Sequence, residues 1–375
     1  MPKGEKENEE SLFPMTHLPI RTVEKPPYVI DESRYKRFDE RNTVFSRVRW
    51  DKTCIGYGRS IEERMLEILA QRKPGYSRVD YALYSASWTV NETYKGAFSW
   101  EKLDGVGRDK RDYPGERTGS SLASLGKYRV KDPAKMSRQI KRVAKFFGAS
   151  LVGICELDRR WVYSHTRSGN PVRIPEGFKY AVVMAVEMDP VGIGTSPAVP
   201  AAVATGNGYS RMAFTIACLG EFIRGLGYKA IQMGNDTALS IPLAVDAGLG
   251  QLGRNGLLIT PEFGPRVRLC KVFTDLPLKP DKPIDFGVTE YCKKCRKCAE
   301  ACEVRAISDE VEPSFEGVCL SNNPGVLKWY VNGELCYNFW CDNGADCSTC
   351  ITVCPFNVRS GGKTRKPAEF WKSPL

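Results

Sequence analysis

The run CKKCRKCAEAC at residues 292–302 and the later CSTCITVCP at 347–355 decide how the rest of the chain is read. Cys292, Cys295, Cys298 and Cys302 have the spacing C-x2-C-x2-C-x3-C, in which three thiolates grip one 4Fe–4S cubane and the fourth reaches a neighbouring cluster. Glu303 stands where a proline usually follows, which weakens the turn signal but removes no ligand. Cys347, Cys350, Cys354 and Pro355 repeat the ending of the run and lack its first cysteine, so an upstream thiol must complete it. Cys336 and Cys341 are the candidates. Crossed ligation then assigns Cys292, Cys295, Cys298 and Cys354 to one cluster, and Cys302, Cys347, Cys350 and one of that pair to the other. Four thiolates also make a zinc site, but two interlocked runs of this spacing are rare in zinc modules.

Working outward, the chain has 375 residues, of which 42% are hydrophobic, enough for a buried core and more than one domain. Ten of its 14 cysteines lie in the clustered region, where ligation explains them better than cross-linking. Cys54, Cys155, Cys218 and Cys270 read as small buried hydrophobes. The net charge of +11 is spread without a long basic block. It suits a solvated basic face more than a nucleic-acid surface. No apolar run spans a bilayer, because the longest uncharged stretch, 190–210, is broken by prolines and glycines.

Residues 1–50 are rich in proline and charge and read as an extended segment over the surface, with Phe38, Phe45 and Trp50 as anchors. Residues 51–285 read as the catalytic domain. Its first part, to about 130, mixes a short helix (61–69) with a connection dense in Gly, Tyr and Trp that can wall a pocket. Asp132-Pro133 starts a helix with Met136, Ile140, Val143 and Phe147 on one face. Residues 151–157, 180–188 and 229–234 read as strands, with helices over 211–226 and near 236–247. Residues 257–260 and 267–273 flank a Pro-Glu-Phe-Gly-Pro turn and look like a hairpin. The pattern implies a mixed α/β (α+β) layer structure, followed by the cluster domain (286–358) and a tail (359–375). Two clusters make an electron wire, and so long an upstream layer is where the electrons are used. That layer carries no G-x-G-x-x-G after a strand, and His17 and His165 are the only histidines.

At this point a family resemblance enters. The helix over 134–147, FFGASLVGICELDRRWVYS (146–164), ATGNGYSRM (204–212), the stretch from GNDTALSIPLAVDAG (234–248) through LGQLGRNGLLITPEFGPRVRLCKVFTDLPL (249–278) and the cysteine runs resemble respiratory reductive dehalogenases, as does RNTVFSRV (41–48). The resemblance covers about residues 130–357. It implies a nitroreductase-like core binding base-off cobalamin, then a ferredoxin-like domain with two 4Fe–4S clusters. The absence of a D-x-H-x-x-G corrinoid motif agrees with cobalt lacking a histidine ligand. It implies Tyr209 as proton donor assisted by Asn235 and Arg268, with Gly248, Gly250, Leu252, Gly253, Arg254 and Asn255 holding the cofactor. A tyrosine titrates near pH ~10, and a guanidinium beside it favours the phenolate. Cys336, ten intervening residues before Cys347, fits the family's spacing, which leaves Cys341 and Cys319 as spare thiols.

The implied reaction passes electrons through both clusters to cobalt, which removes halogen from a small organohalide in an apolar pocket. Trp88, Trp100, Tyr94, Phe45, Trp329 and Trp340 are candidate walls. The implied partners are that substrate, an electron donor and a membrane anchor subunit. The opening MPKGEKENEE has neither an apolar signal core nor a twin-arginine leader. The sequence as it stands is therefore expected in the cytoplasm, and at the outer face of the cytoplasmic membrane if a leader has been removed. Two rivals accompany this reading. A tRNA-modifying enzyme like the epoxyqueuosine reductases fits the basic surplus, but is expected to have a helical-repeat tail and a carboxylate in place of Tyr209. A corrinoid electron-transfer protein would have no substrate of its own. Each site residue also has a plain alternative: Tyr209 closing a turn, Asn235 capping a helix, Arg268 paired with an acid.

Overall fold

The computed structural model describes residues 19–94, 126–357 and 366–372. Helices α1 (Val44–Trp50) and α2 (Arg78–Tyr94) come before the central layer. They are followed by α3 (Pro133–Phe146), β1 (Leu151–Glu156), β2 (Tyr180–Glu187), α4 (Val199–Gly225), β3 (Ala230–Met233) and α5 (Ser240–Asp246). Short strands β4 (Gln251–Leu252) and β5 (Leu258–Ile259) lead to β6 (Val267–Thr274). The eight candidate ligand cysteines lie on or beside α6 (Val288–Lys294), α7 (Lys297–Glu300), α8 (Gly333–Asn343) and α9 (Thr349–Thr352).

The main sheet runs β1-β2-β6-β3, each neighbouring pair antiparallel. Its strands are covered on both faces, which is why they read as continuous apolar runs. On one face Ile154, Met184, Cys270 and Val272 meet Ile140 of α3 and Ile216 and Leu219 of α4. On the other, Val183, Leu269 and Phe273 pack with Ala244 of α5 and with Trp161. The N-terminal segment closes this second face. Tyr35 and Phe38 belong to its core, Tyr28 donates its hydroxyl hydrogen to Asp246 at 2.7 Å, and Arg21–Thr22 pairs with Ile284–Asp285. Phe38 is the buried anchor, while Phe45 and Trp50 are exposed.

Three expectations are corrected. The hairpin over 257–273 does not form: β5 pairs with β4, and β6 is a central strand between β2 and β3. Its residues are buried on both faces, an environment that a two-stranded hairpin cannot supply. The helix expected over 211–226 begins twelve residues earlier, with Pro200 in its first turn, where its absent N–H costs nothing. The connection within 51–130 contains the 17-residue α2, held by its length of packing against α4. Small residues permit that approach, since a Cβ on Gly206 would lie 2.4 Å from Ser87 Oγ and 2.5 Å from Trp88 Nε1. The expected start at Asp132 is found: its carboxylate accepts from Ala134 N and Lys135 N, a cap that contributes about 0.5–2 kcal/mol.

Candidate active site

Alternation along β6 sends Arg268 and Lys271 to opposite faces of the sheet. Arg268 points toward α4, where its Nη2 donates to Thr205 Oγ1 at 3.2 Å and its guanidinium lies 5.0 Å from the Tyr209 ring centroid. Tyr209 is one helical turn after Thr205, so both face the same strand. Trp88 of α2 stacks on Tyr209, with ring centroids 4.9 Å apart and planes at 25°. Asn235 follows β3, and its Nδ2 donates to Tyr209 Oη at 2.6 Å. The three residues are thus brought together by a helix, a strand and a strand-end loop. They line a cavity of about 1210 Å³ whose other walls include Trp88, Phe45 and Trp340. That volume exceeds the ~300–1,000 Å³ usual for a small-molecule site, so the space suits something larger than a halocarbon alone.

Lys271 works from the opposite face. Its Nζ, with no exposed surface, donates to Gly234 O at 2.6 Å, Asp236 O at 3.0 Å and Ser240 Oγ at 3.1 Å. The ammonium therefore fixes the backbone on both sides of Asn235. Burial lowers its pKa to about 8, although Asp236 and Glu40 pull it upward. Glu40, paired with Arg167 at 2.9 Å, is raised to about 7 by burial and then by Asp236. On the far wall, burial raises Asp346 to about 6 against the pull of Arg268. Its Oδ1 is enclosed without a hydrogen-bond partner.

The eight candidate thiols fall into two sets. Cys354 lies in the electrostatic field of Cys292, Cys298 and Cys295, and these four line one small cavity with Ile259, Tyr291 and Phe356. Cys350 lies in the field of Cys336, Cys347 and Cys302, and also of Cys298 from the first set. Cys336 likewise senses Cys347 and Cys302. Burial, then neighbouring thiols, pushes Cys298 and Cys336 up to about 12. Apolar surroundings thus disfavour bare thiolates, which metal binding would stabilise by displacing the protons. Among the described residues no group of three or more His, Cys, Asp or Glu side chains is arranged to hold a single metal ion. The thiols of the first set share the lining of the small cavity. Cys341 is fully buried in a separate apolar cluster with Tyr337, Val48 and Cys54.

The loop 248–255 meets this second region and not the large cavity. Gly253, Arg254 and Asn255 line the small cavity with Cys292, Cys295, Cys298 and Cys354, and Asn255 Nδ2 donates to Cys350 O at 3.4 Å. Leu252 belongs to β4. Gly250 is needed for backbone approach, since a Cβ there would lie 2.0 Å from Ile259 O; one on Gly248, at φ +73°, would lie 2.4 Å from Lys282 O. None of the six lines the large cavity. Trp329 also belongs to the small-cavity side, stacked on Arg254. Trp100 lies outside the described residues, as does the side chain of Tyr94.

A family model described as a reductive dehalogenase subunit matches residues 162–278, the segment that carries Tyr209, Asn235 and Arg268. A tetrachloroethene reductive dehalogenase of Desulfitobacterium hafniense is 41% identical over 77% of this chain and 64% of its own length. Over most of its length the chain is similar to the reductive dehalogenases. A second tetrachloroethene reductive dehalogenase of the family, from Sulfurospirillum multivorans, is 36% identical over 75% of this chain and 62% of its own length. A solved reductive dehalogenase structure, described in terms of B12-dependent dehalogenation, shares the fold with a TM-score of 0.69 at 23% identity, over 91% of this chain and 45% of that one. The chain thus spans less than two thirds of these reductive dehalogenases. Sequence reasoning found the three cavity residues and Trp88 but missed Lys271 and Asp346. The signal for Lys271 was a lone lysine inside the otherwise apolar run LCKVF.

Proposed function

We propose that this chain is the catalytic part of a cobalamin-dependent reductive dehalogenase that replaces a carbon–halogen bond of an organohalide by carbon–hydrogen. Its architecture is then a nitroreductase-like core followed by a ferredoxin-like domain. The carrying observation is the convergence of Tyr209, Asn235 and Arg268 on a cavity larger than a halocarbon requires. The residues fit a bulky corrinoid. The cavity is lined by Trp88, Tyr84 and Trp340 as well as by Thr205, Asn91 and Asp346, a mixture suited to a large ring with polar substituents. Base-off cobalamin would supply a strongly reducing cobalt centre to attack the organohalide. The two thiol sets would hold 4Fe–4S clusters that deliver electrons one at a time.

The chain's own residues account for the proton. Asn235 donates to Tyr209 Oη, occupying an oxygen lone pair and leaving the phenolic hydrogen free to face the cavity. As that hydrogen leaves, the Arg268 cation against the ring stabilises the phenolate. Trp88 stacked on the opposite flank limits the ring's movement and excludes water. The Tyr209 position favours this reading over a tRNA-modifying one, for which a carboxylate donor is expected.

The test is halide release by the full chain loaded anaerobically with clusters and cobalamin. Tyr209→Phe is expected to lose about 10²–10⁴-fold in rate with cluster reduction and corrinoid uptake unchanged. Normal turnover by the variant removes the proton-donor role, and no turnover by the loaded wild type removes the dehalogenase reading.

A further inference from the structure

Arg254 presents a problem in charge balance. Its residue exposure is 1%, and every hydrogen bond found for its guanidinium goes to a neutral backbone carbonyl. Nε and Nη2 donate to Cys292 O at 3.1 and 2.8 Å, and Nη1 donates to Ser308 O at 2.8 Å and Glu310 O at 2.7 Å. One face of the ion is covered by Trp329, whose ring centroid is 4.4 Å away. Trp329 itself donates to Glu310 O at 2.9 Å, so the stacking partner is held in place. Among the described residues no carboxylate pairs with Arg254. A buried cation without an anion is costly, and three carbonyl dipoles lower that cost without neutralising the charge. The anionic groups available are the thiols that share its cavity, Cys292, Cys295, Cys298 and Cys354.

We infer that Arg254 is the buried counter-cation of the first cluster, bound to its ligand loop, and that it raises that cluster's reduction potential relative to the second. The inference rests on the cluster reading of the cysteines. A thiolate-bound cluster is anionic, and accepting one electron makes it more negative by one charge. A cation fixed nearby in a water-poor cavity favours the reduced form. The neighbouring Lys294 and Arg296 are exposed on the same run, where water and salt screen them. The guanidinium fork also explains why arginine is used: its planar donors reach Cys292, Ser308 and Glu310 at once while its face stacks on Trp329. Arg254 is therefore a positioning and tuning residue, and it touches neither substrate nor corrinoid.

The experiment is a potentiometric titration, followed by electron paramagnetic resonance, of the full chain reconstituted with iron and sulfide. Wild type, Arg254→Gln and Arg254→Lys are compared. Arg254→Gln is expected to shift the one-electron equilibrium of one cluster at least tenfold toward the oxidised form, about 59 mV, and to leave the other cluster unmoved. Arg254→Lys loses the fork but keeps the charge, and is expected to stay within threefold of wild type. A potential unchanged in Arg254→Gln, or lowered as far in Arg254→Lys as in Arg254→Gln, overturns the inference. Should Arg254→Gln fail to assemble the first cluster, the lysine variant alone decides, with a tenfold fall contradicting the charge role. A wild-type chain that takes up no clusters refutes the underlying cysteine reading instead.

Discussion

Lys271 and Glu40 are the residues whose chemistry is most constrained by where they lie. Lys271→Met would leave Gly234 O, Asp236 O and Ser240 Oγ without their shared donor. A loss of about 1–3 kcal/mol is expected, the usual cost of leaving buried hydrogen-bonding groups without their partner. Urea unfolding at neutral pH measures it, and a loss below 1 kcal/mol would mean that the loop bearing Asn235 is held by other contacts. Glu40 gives a pH dependence. Its folded pKa, about 7, lies above the ordinary 4.5, so the folded state binds the extra proton between those values. The stability it contributes is complete below pH 4.5 and is lost as pH rises through 7. Glu40→Gln is therefore expected to flatten the fall in unfolding free energy between pH 4.5 and 7.5, and an equally steep fall in the variant refutes the assignment.

Among the elements, α4 couples packing to chemistry. Its Gly206 admits Trp88, which stacks on Tyr209 one turn further along the same helix. Gly206→Val would force apart α2 and α4, with an expected overpacking cost of about 1–3 kcal/mol. The variant should also lose turnover by more than Gly220→Ala, whose clash is with Gln232 on the far part of the helix. Equal losses in the two variants would show that Trp88 does not support Tyr209. The helices and strands around this pair differ in how far they could be read from sequence. Strands buried on both faces and the Asp132 cap were legible because burial and capping are local signals. The pairing of β6 with β2 and β3 was not, since a turn-like Pro-Glu-Phe-Gly-Pro beside two apolar runs specifies a reversal but not its partners. Helix α2 was obscured because Tyr, Trp, Thr and Ser are indifferent helix formers, and packing on α4 decides its conformation.

In the whole molecule, the first thiol set shares a cavity with Arg254, while Asp346, which precedes Cys347, and Trp340, one helical turn after Cys336 on α8, line the cavity of Tyr209. The cysteine spacing was legible in the sequence, as were Tyr209, Asn235 and Arg268. The place of residues 248–255 was not, because glycines needed for backbone approach on either side of β4 look the same as glycines that admit a ligand. The choice between Cys336 and Cys341 yields a direct prediction. Cys336→Ser is expected to lose about half the cluster iron, and Cys341→Ser to keep it, as counted by iron analysis after reconstitution; the reverse pattern would reassign the ligand. The central claim is that this chain brings two iron–sulfur clusters to a corrinoid. Iron and cobalt should therefore be quantified in the full chain after anaerobic loading with iron, sulfide and cobalamin and removal of unbound material. About eight irons and about one cobalt per chain are predicted, and retention of iron without cobalt would contradict the account.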